Sequence, residues 1–355
     1  MVTGDGVRPA GPWATADPFR PARWLPGGHL QTLWSRVLRR GPRVVLRRET
    51  WETPDGDELH LDRLDGPPGT PVLLALHGLE GCSESLYMHG LLHLARERGW
   101  RGIALNFRSC ARPAGGRPGS YLPNRGKRLY HMGETSDLEW VVETLASWEP
   151  GIELVVTGVS MGGNVLLKWL GERGVSVPPA VRGAAAISAP YDLAAAADHL
   201  ERGVGPHYAR YFLESLKEKA LDYDARHPGV VDVERVRTAR GFREYDDAAV
   251  APIHGFADAA DYYARSSSLA FLGRIRVPTL LVSAADDPFL PRWVLDKACR
   301  AASPDVRCVF TAAGGHVGFV EGPPWSARSW AEARAVEFLA ARVSGGGAPR
   351  EIRNT

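Results

Sequence analysis

The sequence predicts an α/β fold, with a mostly parallel central sheet, helices on both faces and a helical cap insertion. Two observations carry this. Short, continuous apolar runs such as Val72 to Leu76 and Leu154 to Thr157 have the length and composition of strands buried on both faces. They alternate with helix-period segments such as Leu86 to Arg98 and Ser136 to Trp148. A third observation sets the cap. Residues 191–273 are charged, aromatic and helical in pattern, and roughly 80 residues is too long for a plain crossover.

The elements follow in order. Residues 1 to about 18 are rich in Gly, Pro and Ala and are expected to be loosely attached. His29 to Arg40 predicts a short helix whose face of Leu30, Leu33, Trp34, Val37 and Leu38 packs on the body; a membrane-touching helix is the alternative. Together, residues 1–40 form an N-terminal arm. Val44 to Arg48 and Glu58 to Arg63 read as paired strands joined by a Pro54-Asp55-Gly56 turn. Gly102 to Asn106, Ala184 to Ser188, Thr279 to Val282 and Cys308 to Thr311 are further strands, and Ser329 to Arg342 is the last helix. Asp137 stands near the start of its helix, where a carboxylate suits the helix dipole. The core thus comprises 41–190 and 274–343, the cap 191–273, and 344–355 a flexible tail opening on three glycines.

Bulk properties exclude several classes. Of 355 residues, 44% are apolar and 24% charged, with a formal net charge of +2, so no strong field favours nucleic acid. Cys82, Cys110, Cys299 and Cys308 lack C-x-x-C spacing and read as reduced thiols or small buried hydrophobes. Neither a secretory leader nor a span of about 18 apolar residues is present, so a cytoplasmic location is the default expectation.

The chemistry is carried by Gly158-Val159-Ser160-Met161-Gly162. It follows a strand and precedes a helix, the setting of the nucleophile elbow of the α/β-hydrolase fold. The sharp turn needs flanking residues without bulk, and it aims the following helix N-terminus at the reacting oxygen. A serine hydroxyl needs a base, and in this fold the order is serine, acid, histidine. Among the downstream histidines, His199, His207, His227 and His254 lie in the cap. Only His316 follows a late strand, in Gly314-Gly315-His316, and it is the expected base. The acid belongs in the loop after Thr279 to Val282, where Asp286 and Asp287 compete. The Asp287 position matches similar hydrolases, in which the acid precedes a short x-apolar-apolar-Pro stretch; Asp286 then serves as a turn or capping residue. The oxyanion hole needs the backbone N–H of Met161 and one from His77-Gly78-Leu79-Glu80-Gly81, expected at Leu79. His77 reads as a structural residue of that turn.

Several segments together resemble the YheT-like family of α/β hydrolases, related to eukaryotic membrane-associated abhydrolases and yeast ethyl-ester synthases. They are Trp24 to Thr32, His77 to Gly81, Leu105 to Cys110, Tyr130 to Thr135, Gly158 to Asn164, Ser266 to Ser268, Asp286 to Phe289 and Gly314 to Phe319. The resemblance covers about residues 20–342. It implies a triad on Ser160, Asp287 and His316 and the activity of an esterase, acyltransferase or lipid hydrolase. The eukaryotic relatives carry an N-terminal anchor that this sequence lacks, so membrane residence is not expected, and peripheral contact is left open. The His131 to Glu134 segment looks like a family signature whose expected role is to order the loop before the Ser136 helix.

The leading expectation is a carboxylesterase acting on a small-molecule ester or lipid-like substrate through an acyl-serine. No metal or organic cofactor is required, and no H-E-x-x-H cluster appears. Acyl transfer by the same triad is the close alternative, because exclusion of water by the cap decides between the two. A non-catalytic binding module is the alternative from another class. Tyr208, Tyr211, Phe212, Tyr262 and Tyr263 are candidates either for an acyl pocket or for helix packing.

Overall fold

The computed structural model describes residues 19–344, so the expectations for residues 1–18 and for 345–355 lie outside the described residues. Eight strands form one sheet in the order β1-β2-β4-β3-β5-β6-β7-β8. They are β1 (Arg47–Glu52), β2 (Glu58–Leu64), β3 (Val72–Leu76), β4 (Arg101–Asn106), β5 (Leu154–Val159), β6 (Val181–Ile187), β7 (Thr279–Ala284) and β8 (Val306–Thr311). The pairs β1–β2 and β2–β4 are antiparallel, and every pair from β4 to β8 is parallel. Strands β3, β5 and β7 are buried at every position, which is why they read as unbroken apolar runs. A short second ribbon pairs β9 (Val320–Glu321) with β10 (Arg328–Ser329).

The helices of the core are α2 (Leu86–Glu97), α3 (Ser136–Trp148), α4 (Met161–Arg173), α11 (Trp293–Ala301) and α12 (Trp330–Ala340). Between β6 and β7 the described chain has no strand. Helices α5 (Leu193–Leu200), α6 (Gly205–Arg226), α7 (Val233–Thr238), α8 (Phe242–Tyr245), α9 (Ala251–His254) and α10 (Ala259–Ser266) fill it. Two sequence expectations are corrected. The first strand starts at Arg47, not Val44, because the Val44 N–H donates to His89 Nδ1 (3.2 Å) and not to a ladder partner. The second correction concerns the N-terminal arm. Helix α1 (Gly27–Leu33) continues as one π-helical turn over Trp34–Leu38; of the expected packing face only Trp34 packs, edge-on against Trp24 at 5.4 Å, and the rest is outside. Leu30, Leu33, Val37 and Leu38 are 46%, 45%, 69% and 66% exposed, while Gly28, Gln31 and Thr32 are buried. The small and polar residues take the inside because they pair with a loop backbone there. Gln31 Oε1 accepts from the Val320 N–H (2.7 Å), and Thr32 Oγ1 accepts from the His316 N–H (2.8 Å). A Cβ at Gly28 would stand 1.9 Å from the Asp286 carbonyl oxygen, so only glycine permits this approach.

One buried cation ties the antiparallel edge to the parallel core. Arg108, in the loop after β4, is fully buried at its side chain. Its guanidinium donates to both oxygens of Asp137 (2.8 Å each), to Asp57 (2.7 Å) and to Asp55 (3.0 Å). It thereby joins the β1–β2 turn to the start of α3. Burial disfavours its charge, but Asp137 and Asp55 outweigh that and hold its pKa above the usual value. Asp137 therefore does more than meet the helix dipole. Arg108→Met leaves the carboxylates of Asp57 and Asp137 buried with too few partners. It is expected to lower unfolding free energy by about 3–5 kcal/mol in urea titrations.

Candidate active site

The site begins at the end of β5. Ser160 adopts φ 53° and ψ −118°, a conformation costly for a residue with a Cβ. The turn leaves no room on either side. A Cβ at Gly158 would meet the Gly162 carbonyl oxygen at 2.2 Å, and one at Gly162 would meet the Leu76 and His77 carbonyl oxygens at 2.6 Å. Helix α4 starts at Met161, so the serine sits at a helix N-terminus, a favourable place for developing negative charge.

Three candidate residues from separate loops come together. Ser160 Oγ lies 2.9 Å from His316 Nε2, and His316 Nδ1 lies 2.8 Å from Asp287 Oδ2. In the tautomer this chain of contacts selects, Nδ1–H donates to the carboxylate and Nε2 accepts from the hydroxyl. The Asp287 Oδ1 accepts from the Phe289 N–H (2.8 Å), and the Phe289 ring stacks on the imidazole at 4.2 Å. Asp286 points elsewhere: its Oδ1 accepts from the Gly315 N–H (2.8 Å) and shapes the loop that carries His316. Burial first, and then the Asp287 charge, raise its pKa. The arm supplies the remaining brace through the Thr32 bond to the His316 N–H.

The β3 loop approaches from the other side, with Gly78 close enough that a Cβ would touch the Ser160 Cβ at 3.2 Å. Gly78 N–H donates to the Tyr87 hydroxyl (2.9 Å), whereas the N–H groups of Leu79 and Met161 have no protein acceptor among the described residues. His77 uses both ring nitrogens, donating from Nδ1 to the Gly78 carbonyl (2.8 Å) and accepting at Nε2 from the Phe107 N–H (3.0 Å). Burial pushes its pKa down to about 4, so it is a neutral spacer. Next along the loop, Glu80 has φ 53° and accepts from the Tyr130 hydroxyl and from Lys219 Nζ (2.8 Å). Lys219 belongs to α6, so a buried ion pair links that helix to this loop. No pattern along the sequence marks a contact between residues 139 apart.

A cavity of about 1380 Å³ reaches from Ser160 and His316 to the surface between the arm and α6. Tyr208, Tyr211, Phe212 and Tyr263 line it, and Tyr262 does not. The Tyr262 hydroxyl accepts from the Met132 N–H at 3.0 Å, beside the His131 ring. His131 accepts from the Gly133 N–H (3.1 Å) and packs on His254, and burial lowers both imidazoles to about 3. This is an ordering role for the segment. Among the described residues Ser160 Oγ is hydrogen-bonded by His316, and His199, His207, His227 and His254 make no such bond. Among the described residues no group of three or more His, Cys, Asp or Glu is arranged to hold a metal ion, and all four cysteines are free.

One buried acid in the cavity wall titrates unusually. Burial pushes Asp246 up to about 7, although the Tyr263 hydroxyl donates to it at 2.6 Å. A folded-state value above the unfolded one means the folded chain holds this proton more tightly. Stability is therefore lost as pH rises from about 4 through about 7. Between pH 5 and pH 8 the wild type is expected to lose about 3 kcal/mol that Asp246→Asn keeps, as read by urea unfolding at both pH values.

The chain belongs to the α/β-hydrolase fold family, whose profile matches residues 71–323, and it lies in the YheT-like branch of that family. It is 37% identical to "Putative esterase YheT" of Escherichia coli (strain K12), over 93% of this chain and 95% of that protein. It is 32% identical to "Phospholipase ABHD3" of Mus musculus, over 86% of this chain and 74% of that protein. Among solved structures, the Pyrococcus furiosus esterase Pf2001 superposes with a TM-score of 0.54 at 18% identity, covering 86% of this chain and 98% of that one. At that identity the likeness bears on the fold alone. The protein is thus an enzyme of the hydrolase class, and no described helix is long and apolar enough to cross a membrane.

Proposed function

We propose that this chain is a serine esterase that cleaves carboxylic esters through an acyl-serine. The observation that carries the reading is the relay from Asp287 through His316 to Ser160, with both contacts under 3 Å, at the inner end of a large cavity. Ser160 Oγ attacks the ester carbonyl while His316 Nε2 takes its proton. The N–H groups of Leu79 and Met161 receive the oxyanion. His316 then gives the proton to the departing alcohol, and a water activated by the same nitrogen releases the acid and restores Ser160.

The cavity supports a lipid-like substrate. Its volume exceeds the roughly 300–1,000 Å³ usual for small-molecule sites, and Leu193, Ala197, Phe212 and Phe289 make much of its wall apolar. The likeness to a relative named a phospholipase favours esters of glycerolipids within this class. The test is to treat the wild type with a fluorophosphonate and with p-nitrophenyl esters from acetyl to long acyl chains. The expected result is stoichiometric labelling on the peptide holding Ser160, and turnover that improves with chain length. A chain that is neither labelled nor active would sink the proposal, and label on another serine would move the nucleophile.

A further inference from the structure

We infer that the outer face of the N-terminal arm docks on an anionic lipid surface and seats the mouth of the cavity there. A surface helix normally buries its apolar stripe and shows its polar one. The arm is built the other way. Gly28, Gln31 and Thr32 face inward against the loop of His316, and Leu30, Leu33, Val37 and Leu38 face out. The inversion is held in place on both sides, by the inward bonds and by two contacts to the cap. His29 Nδ1 lies 3.0 Å from the Tyr208 hydroxyl, and Arg36 donates to the Tyr211 hydroxyl at 2.8 Å while lying over its ring.

The exposed patch is continuous with the substrate cavity. Leu33 and Val37 form part of the cavity lip, and on the far side the exposed Val204 and Tyr211 form another part. An apolar rim around a deep opening is what a bilayer interface accommodates, with side chains in the acyl boundary and cations at the headgroups. The cations are present. Arg36, Arg40 and Arg43 are exposed and enter none of the ion pairs among the described residues. Their charge selects the occupant. A second copy on a two-fold axis would set these arginines against themselves, whereas an anionic bilayer complements them. Docking here orients the opening toward the lipid and presses on the helix that holds the His316 backbone.

The test uses Ser160→Ala protein, so hydrolysis plays no part and failure of the esterase reading leaves it intact. Co-sedimentation is measured with vesicles of phosphatidylcholine alone and with about a third phosphatidylglycerol. The expected result is binding that favours the anionic vesicles and weakens with salt. Adding Leu30→Asp and Leu38→Asp is expected to cut it at least about tenfold. Adding Arg40→Glu is expected to reduce the preference for anionic vesicles. Leu30 and Leu38 do not line the cavity. In the Ser160→Ala background the double variant is expected to keep the far-ultraviolet circular dichroism and the thermal unfolding midpoint of its parent, which shows it is folded. Equal vesicle binding by the double variant, or no binding by the parent, overturns the proposal. A dimer in sedimentation that the two substitutions dissolve would give the face to a second copy instead.

Discussion

Ser160→Ala is expected to reduce kcat on p-nitrophenyl esters by at least about 10⁴-fold while binding of substrate is retained. The substitution removes the atom that bonds to the acyl group and leaves His316 Nε2 without its partner at 2.9 Å. What survives is the assistance of the free N–H groups beside it, which act on a water and not on a bound nucleophile. A second comparison separates chemistry from strain. Ser160 is held at φ 53°, which alanine tolerates no better than serine and glycine tolerates freely. Ser160→Gly is expected to be as inactive as the alanine variant and about 1 kcal/mol more stable than it in thermal unfolding. Equal stability would mean that the elbow is relaxed. Activity retained in either variant would place the nucleophile elsewhere.

Asp287→Asn should cost on the order of 10⁴ in kcat, and Asp286→Asn less than about tenfold. The neighbours differ in what they hold. Asp287 accepts the Nδ1 proton of His316 through one oxygen and the Phe289 N–H through the other. An amide at 287 can present its NH₂ to Nδ1, which fixes the imidazole in the tautomer that cannot take the Ser160 proton. Asp286 accepts one N–H from Gly315, and an amide oxygen serves equally well there. Steady-state kinetics of both variants on one ester decide the matter, because a reversed ranking would transfer the acid's role to Asp286.

Much of this arrangement was legible in the residues, for identifiable reasons. Strands buried on both faces leave unbroken apolar runs, so β3, β5 and β7 were found within two residues at each end. The elbow is legible because glycine is the only residue that fits at positions 158 and 162. Less was legible where a contact is made across distance. Periodicity marked the apolar stripe of the arm but gave no sign of what lies opposite it. The stripe read as a packing face, when Thr32 and Gln31 had bonding partners some 284 and 289 residues away. Helix α11 was missed although Val294, Leu295 and Ala298 are spaced to share a buried face. The left-handed backbone at Ser109, Ser188, Val317 and Phe319 carries no glycine to announce it.

The bond from Thr32 to the His316 backbone bears on where this enzyme may be cut or fused. A fragment designed on the family match would open at residue 71 and close at residue 323. It would discard Thr32 and Gln31, the Asp57 that clasps Arg108, and the Glu332 that pairs with Arg39. Homology boundaries and mechanical boundaries therefore diverge in this chain. The bonds that brace the His316 loop begin upstream of the sheet, so a fragment opening at residue 71 is expected to lose those of Thr32 and Gln31.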